Sequence, residues 1–164
     1  MQLPGIAVMP GLAAAMVIDV ELGPEQDLGR GEGGQRIDYP ISGGHFSALD
    51  PAGYALEGTV LAGGADQFLM RDDGIGVLDA RYRLAGSNGS IVEIHNRGLW
   101  VPDARGRARL AAGEEPRPEE LYCRCTPVFT APEGPFAWLN AHVFTGRVDY
   151  PAFRRVVISV YRLL

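Results

Sequence analysis

The sequence predicts an all-β fold, a single antiparallel β-barrel of about eight to ten strands. Three observations predict it. The 22 Gly and 12 Pro are spread through 164 residues and cut the chain into short pieces. No stretch keeps a helical period over three turns, whereas alternation of apolar and polar residues recurs along the chain. Turn signals fall between the alternating runs. The length suits one domain with one core over residues 1–164, with residues 1–13 as an irregular N-terminal segment.

The strands follow in order. In residues 14–22, Met16, Ile18, Val20 and Leu22 share one face, with Asp19 and Glu21 on the other. Residues 36–41, 54–61 and 67–71 are the next candidates. In residues 79–85, Ala80, Tyr82 and Leu84 oppose Arg81 and Arg83. Asn88-Gly89 predicts a type I′ hairpin turn into residues 91–96, and Asp72-Asp73-Gly74 predicts a second hairpin. Residues 121–130, 138–146 and 155–163 complete the set. The last is apolar on both faces, and as a barrel edge it would need covering, which predicts a homodimer. Residues 29–34 and 111–120 read as mobile loops, the second a possible lid over a barrel mouth.

Composition narrows the chemistry. The formal net charge of -5 creates no field that attracts nucleic acid. All 15 basic residues are Arg, so a lysine Schiff base is excluded. Cys123 and Cys125 lack metal-site spacing, are ill placed for a disulfide within one strand, and read as packing residues. The apolar N-terminus lacks a basic flank and is broken by Pro4, Pro10 and Asp19, so no membrane span is expected and the cytoplasm is the default location. Residues 31–34 lack the Lys-Ser/Thr of a phosphate loop, and no Ser lies in a G-x-S-x-G elbow. His45, His95 and His142 have no local metal-ligand spacing, so no metal is expected, although three inward histidines could still converge on one.

The remaining signal is polar residues that share strand faces with large apolar ones. Tyr122, Arg124 and Thr126 share a face, as do Trp138, Asn140, His142 and Phe144. Asp66 has the parity of Phe68 and Met70, and Glu93 that of His95. If those faces point inward, the barrel holds a small-molecule pocket. A buried Asp66 would then pair with Arg36 or Arg124. The alternative is a salt-bridge network that only staples the barrel.

The segments GQRIDYPISGGHF, VLAGGADQFLMRDDGIGVLDARYRL, IVEIHNRG, LYCRCTPVF and FAWLNAHVFTG resemble the bacterial and fungal domain-of-unknown-function family 3237. The resemblance runs from about Met16 to the C-terminus, and Gly63-Gly64-Ala65-Asp66 and Trp138-Leu139-Asn140 are among its most specific parts. It implies a barrel similar in outline to allene oxide cyclase, dirigent and lipocalin-like barrels. Barrels of that kind often enclose apolar substrates and catalyse cyclisation, isomerisation or elimination without a cofactor.

Two functions are expected from these features. The first is a cofactor-independent lyase or isomerase, cyclase included, acting on a small, partly aromatic or polyketide-like molecule. Arg36 or Arg124 would polarise a substrate oxygen and Asp66 or His142 would move the proton. Asn140 and Tyr122 would orient the ligand against Trp138, Phe68 and Phe144, with His45 and Glu93 as further contacts. The second is a non-catalytic barrel that binds a small molecule.

Overall fold

The computed structural model describes residue 5 and residues 8–164. Its strands are β1 (Leu12–Leu22), β2 (Gln26–Gly31), β3 (Gly34–Leu49), β4 (Ala55–Val60), β5 (Ala65–Arg71), β6 (Gly76–Gly86) and β7 (Ile91–Pro102), then β8 (Leu121–Thr130), β9 (Phe144–Ala152) and β10 (Arg155–Leu163). A short helix, α1 (Ala104–Ala111), and a 3₁₀ turn (Pro118–Glu120) separate β7 from β8. A second 3₁₀ segment (Ala137–Ala141) precedes β9.

Neighbouring strands are antiparallel and run β1-β10-β9-β8-β7-β6-β4-β3, and β3 pairs back onto β1. This closes an eight-stranded barrel. β5 shares the β4 position: it lies between residues 34–40 of β3 and the start of β6, while β4 lies between residues 45–49 of β3 and the end of β6. β2 pairs only with β3 and stands outside the ring.

Closure has local causes on the β1–β3 seam. The register slips between Glu21 and Leu22, which places a bulge in β3 and bends it. Gly44 lies within this region at φ +130, and a Cβ there would sit 2.0 Å from the Asp19 carbonyl oxygen. Only Gly allows both the conformation and the approach. On the outer side of the seam Arg155 grips Asp19 through Nε and Nη2, and His45 Nε2 stands 3.8 Å from the same carboxylate. Three strands, β1, β3 and β10, are thereby tied together.

Alternation decides the two faces. On β8, Cys123, Cys125, Pro127 and Phe129 are buried and Tyr122, Arg124, Thr126 and Val128 are exposed. One end of the barrel is filled by aromatic rings. Phe129 packs edge-on against Phe144 at 5.1 Å between centroids, and Phe46 against Phe136 at 5.9 Å. The Ala137–Ala141 segment caps that end, held by Asn140, whose amide donates to the Ala131 carbonyl and accepts from the Ala131 N–H, each at 2.8 Å.

Several expectations are corrected. The strand expected over residues 138–146 is a 3₁₀ cap followed by β9, because Asn140 binds the backbone of another segment instead of continuing a ladder. Residues 29–34 are the end of β2, a turn and the start of β3. Residue 111 ends α1 and residues 118–120 form the 3₁₀ turn, so 111–120 is partly regular. Both expected hairpins form, but with Gly89 and Gly74 in the left-handed region after two ordinary turn residues, so the turn at Asn88-Gly89 is not type I′. β10 is paired with both β1 and β9 and is no edge, which removes the reason given for a homodimer. Of the N-terminal segment expected over residues 1–13, residues 1–4 and 6–7 lie outside the described residues, and Leu12 and Ala13 already belong to β1. No described helix is long and apolar enough to cross a membrane.

Candidate active site

The half of the barrel opposite the aromatic plug is hollow. A cavity of about 830 Å³ opens between the ends of β3, β5, β6 and β9. A shallower depression of about 640 Å³ elsewhere is lined by small side chains such as Ala14, Ser47, Ala55 and Ser159, with Glu57 its one carboxylate, and holds no acid–base pair.

Of the carboxyls that line this cavity, Asp66 is the least exposed. It faces the cavity from β5. The β5–β6 ladder pairs Asp66 with Ala80 and Leu69 with Val77, and skips the residues between. The N–H of Asp79 that the gap leaves free donates to Asp66 Oδ1 at 2.8 Å. Burial lifts the Asp66 carboxyl to about 6, that hydrogen bond opposes the lift, and the nearby carboxylates of Asp79 and Asp38 add to it. None of the ion pairs among the described residues includes Asp66.

Polar groups from other strands share the cavity. Tyr82 of β6 and Asn96 of β7 are each 5% exposed, and the Tyr82 hydroxyl and Asn96 Oδ1 have no hydrogen-bond partner. Burial pushes the Tyr39, Tyr82 and Tyr150 hydroxyls above the usual phenol range, with the negative charge of Asp66 a smaller contribution to each. The Tyr150 hydroxyl lies 3.7 Å from Cys123 Sγ. The apolar wall is a chain of rings: Phe68 meets Tyr39 at 6.0 Å and Trp100 at 6.4 Å, both edge-on. Gly76 makes that contact possible, since a Cβ there would lie 2.4 Å from the Phe68 ring.

Two segments frame the mouth. The β9–β10 turn contributes Phe153 and Arg154, the latter at φ +55, with its guanidinium 4.8 Å from the Phe153 ring centre and 3.5 Å from Glu25. Across the opening, Leu110, Glu115 and Pro116 come from α1 and the chain beyond it. Asp103 caps α1 by accepting from the Gly106 N–H at 2.8 Å. Buried Glu120 accepts from the Arg117 N–H at 2.9 Å and from Arg109 Nε at 2.8 Å, which fixes the far end of the segment.

Of the residues expected at the site, the structure brings Asp66 and Phe68 to the cavity. Arg36 is exposed on the outer face of β3, and Arg124 stacks outside on Tyr122, 5.0 Å from its ring centre, so neither pairs with Asp66. Glu93 also faces outward and meets Arg83 at 3.3 Å. His45 lies on the outer seam. Trp138, Asn140, His142 and Phe144 cluster at the plugged end, with His142 Nδ1 2.7 Å from the Trp138 carbonyl oxygen. His95 is outside as well, 2.7 Å from Asp79. The three histidines do not converge, and no group of three metal-binding side chains occurs among the described residues.

The cavity residues that sequence reasoning missed are Tyr39, Tyr82, Asn96 and Tyr150. Asn96 carried a readable signal: it has the parity of Val92 and Ile94, so it is a polar group on a buried face.

Fold and site together define a closed β-barrel with a carboxyl-bearing interior cavity. The family described as "Protein of unknown function (DUF3237)" matches residues 10–163, and the chain belongs to that family. It is 32% identical over 134 residues to a UPF0311 protein of Rhodopseudomonas palustris strain TIE-1, covering 82% of this chain and 83% of that one. The crystal structure of a conserved protein of unknown function from Rhodopseudomonas palustris superposes with a TM-score of 0.83 at 26% identity, over 96% of this chain and 100% of that one. An enzyme from Penicillium herquei shares the fold at a TM-score of 0.69 and 16% identity, over 99% of this chain and 100% of that one.

Proposed function

We propose that the barrel is an acid–base catalyst of the lyase or isomerase class, acting without a cofactor on a small, partly aromatic or polyketide-like molecule held in the cavity. The observation that carries this reading is a carboxyl with no cation beside it, Asp66, inside a ring-lined cavity. With its carboxyl lifted to about 6, Asp66 can accept a proton near neutrality and return it within one turnover. In an isomerisation the C–H or O–H bond of the ligand breaks toward Asp66, the electron pair moves into the ligand, and the proton returns at a second atom. The hydroxyls of Tyr82 and Tyr150 supply donors for a ligand oxygen that gains charge. A structural relative at low identity is an enzyme, which adds a precedent for catalysis on this fold and nothing about the reaction.

A binding barrel is the competing reading, and it would leave its interior charges neutralised. The lack of a cation beside Asp66 favours catalysis. The test is a screen of small carbonyl and phenolic compounds for conversion, followed by Asp66→Asn on whichever is turned over. Loss of turnover with binding retained is the expected result. Undiminished turnover by Asp66→Asn would remove Asp66 as the proton carrier.

A further inference from the structure

The charges and the free hydrogen-bonding atoms of the cavity restrict what it can hold. Its lining carries three carboxylates, Asp66 within and the exposed Glu25 and Glu115 at the mouth, against one guanidinium. That guanidinium, Arg154, sits at the lip, already stacked on Phe153 and turned toward Glu25. An anionic ligand reaching the interior would be desolvated beside like charge with no cation to meet it.

The interior atoms without partners point the same way. Asn96 Oδ1 is a pure acceptor, buried and unpaired. The Asp66 carboxylate accepts one hydrogen bond, from the Asp79 N–H, and has acceptor capacity left. The Tyr82 hydroxyl is buried, unpaired and able to donate or accept. A ligand that satisfies this set must bring hydrogen-bond donors. A cation would supply donors too, but it would hold Asp66 ionised and weaken it as a proton carrier. The walls on either side, Phe68, Tyr39 and Trp100, suit a flat apolar frame.

We infer that the cavity selects uncharged aromatic molecules that carry hydroxyl donors, and rejects carboxylates and phosphates. The inference rests on the acid–base reading of this same cavity and names its substrate class.

Four matched probes test it on the intact chain by calorimetry near neutral pH: 2-naphthol, naphthalene, 2-naphthoate and 2-naphthylmethylammonium. They share a frame and differ in donor and charge. Naphthol should bind most tightly, by roughly tenfold or more over the carboxylate, which finds no cation and leaves buried acceptors unpaired. Tyr82→Phe and Asn96→Leu should each weaken naphthol binding and leave naphthalene unchanged. Tyr82→Phe keeps the ring and serves as the readout if Asn96→Leu fails to fold. Equal or tighter binding of naphthoate overturns the inference and leaves the acid–base reading standing, whereas equal or tighter binding of the ammonium overturns the inference and counts against Asp66 as the proton carrier as well. Naphthol binding no tighter than naphthalene, or unaffected by Tyr82→Phe, overturns it as well. Failure of all four probes to bind removes the cavity as a ligand site, and both readings fall together.

Discussion

At the scale of single residues, Asp66 is a carboxyl whose placement against the cavity costs stability once it ionises. Burial lifts its carboxyl from the ordinary range to about 6, so the folded chain holds a proton there that the unfolded chain has released. Its stabilising contribution is therefore complete below the ordinary carboxylate range and is lost as pH rises through about 6. Asp66→Asn removes that penalty and keeps an oxygen for the Asp79 N–H. The variant should be more stable than the parent above pH ~6, by up to about 3 kcal/mol, and indistinguishable from it below pH ~4, as read by denaturant midpoints across pH. If the same residue carries the proton in catalysis as a base, the rate on an identified substrate should fall below pH ~6 along a single limb. Tyr82→Phe is a milder case of the same trade. It deletes a buried hydroxyl that has no partner, and the melting temperature should hold or rise, a change of about 1 kcal/mol.

At the scale of elements, strands are legible where one face is small and apolar and the other is charged. β6 is the clear example, with Tyr82 and Leu84 inside and Arg83 outside. β8 shows why legibility stops short of the site. Its alternation is perfect, but both faces are credible interiors, one with Tyr122 and Val128, the other with Cys123, Cys125 and Phe129. Period two says which residues share a face and leaves open which face is inside. The larger polar residues mark the outer one here, and that misplaces Tyr122 and Arg124. α1 is invisible for another reason: eight residues give too few turns for a period to register. The segment from Asp103 to Glu120 matters because it carries Leu110, Glu115 and Pro116 to the cavity mouth. Its anchor is Glu120, held below the usual carboxylate range first by the Arg117 N–H and then by Arg109. Glu120→Gln should speed amide exchange across residues 104–120 and leave the exchange of β6 and β7 unchanged. Equal acceleration in those strands would mean that the segment is not an independent lid.

At the scale of the whole molecule, the class of fold is readable and its closure is not. Alternating runs separated by turns suffice for an all-β barrel, whereas pairing β1 with both β3 and β10 joins residues far apart in sequence. Residues at the seam do that work. Gly44 lets two backbones meet, and Arg155 reaches across to Asp19. The Arg155 guanidinium holds the Asp19 carboxyl below its ordinary range, against the opposing effect of burial. The sign is opposite to that of Asp66. The Asp19 contribution is present above the ordinary carboxylate range and is lost as pH falls through the lowered value. Between pH ~4 and ~6 the charged seam is already holding the barrel closed while the cavity is beginning to strain it. Asp66→Asn should therefore remove the loss of stability that accompanies rising pH in that window. Asp19→Asn should lower stability at pH ~7 by about 1 kcal/mol, a modest figure because Arg155 is half exposed, and the difference should shrink in acid. Asp19 sits on the outer seam and Asp66 inside on β5, with no shared partner, so the double variant should show the sum of the two single effects at each pH. A double variant that departs from that sum by more than about 1 kcal/mol would mean that seam and cavity are mechanically coupled, and that closing the barrel also sets the poise of its carboxyl.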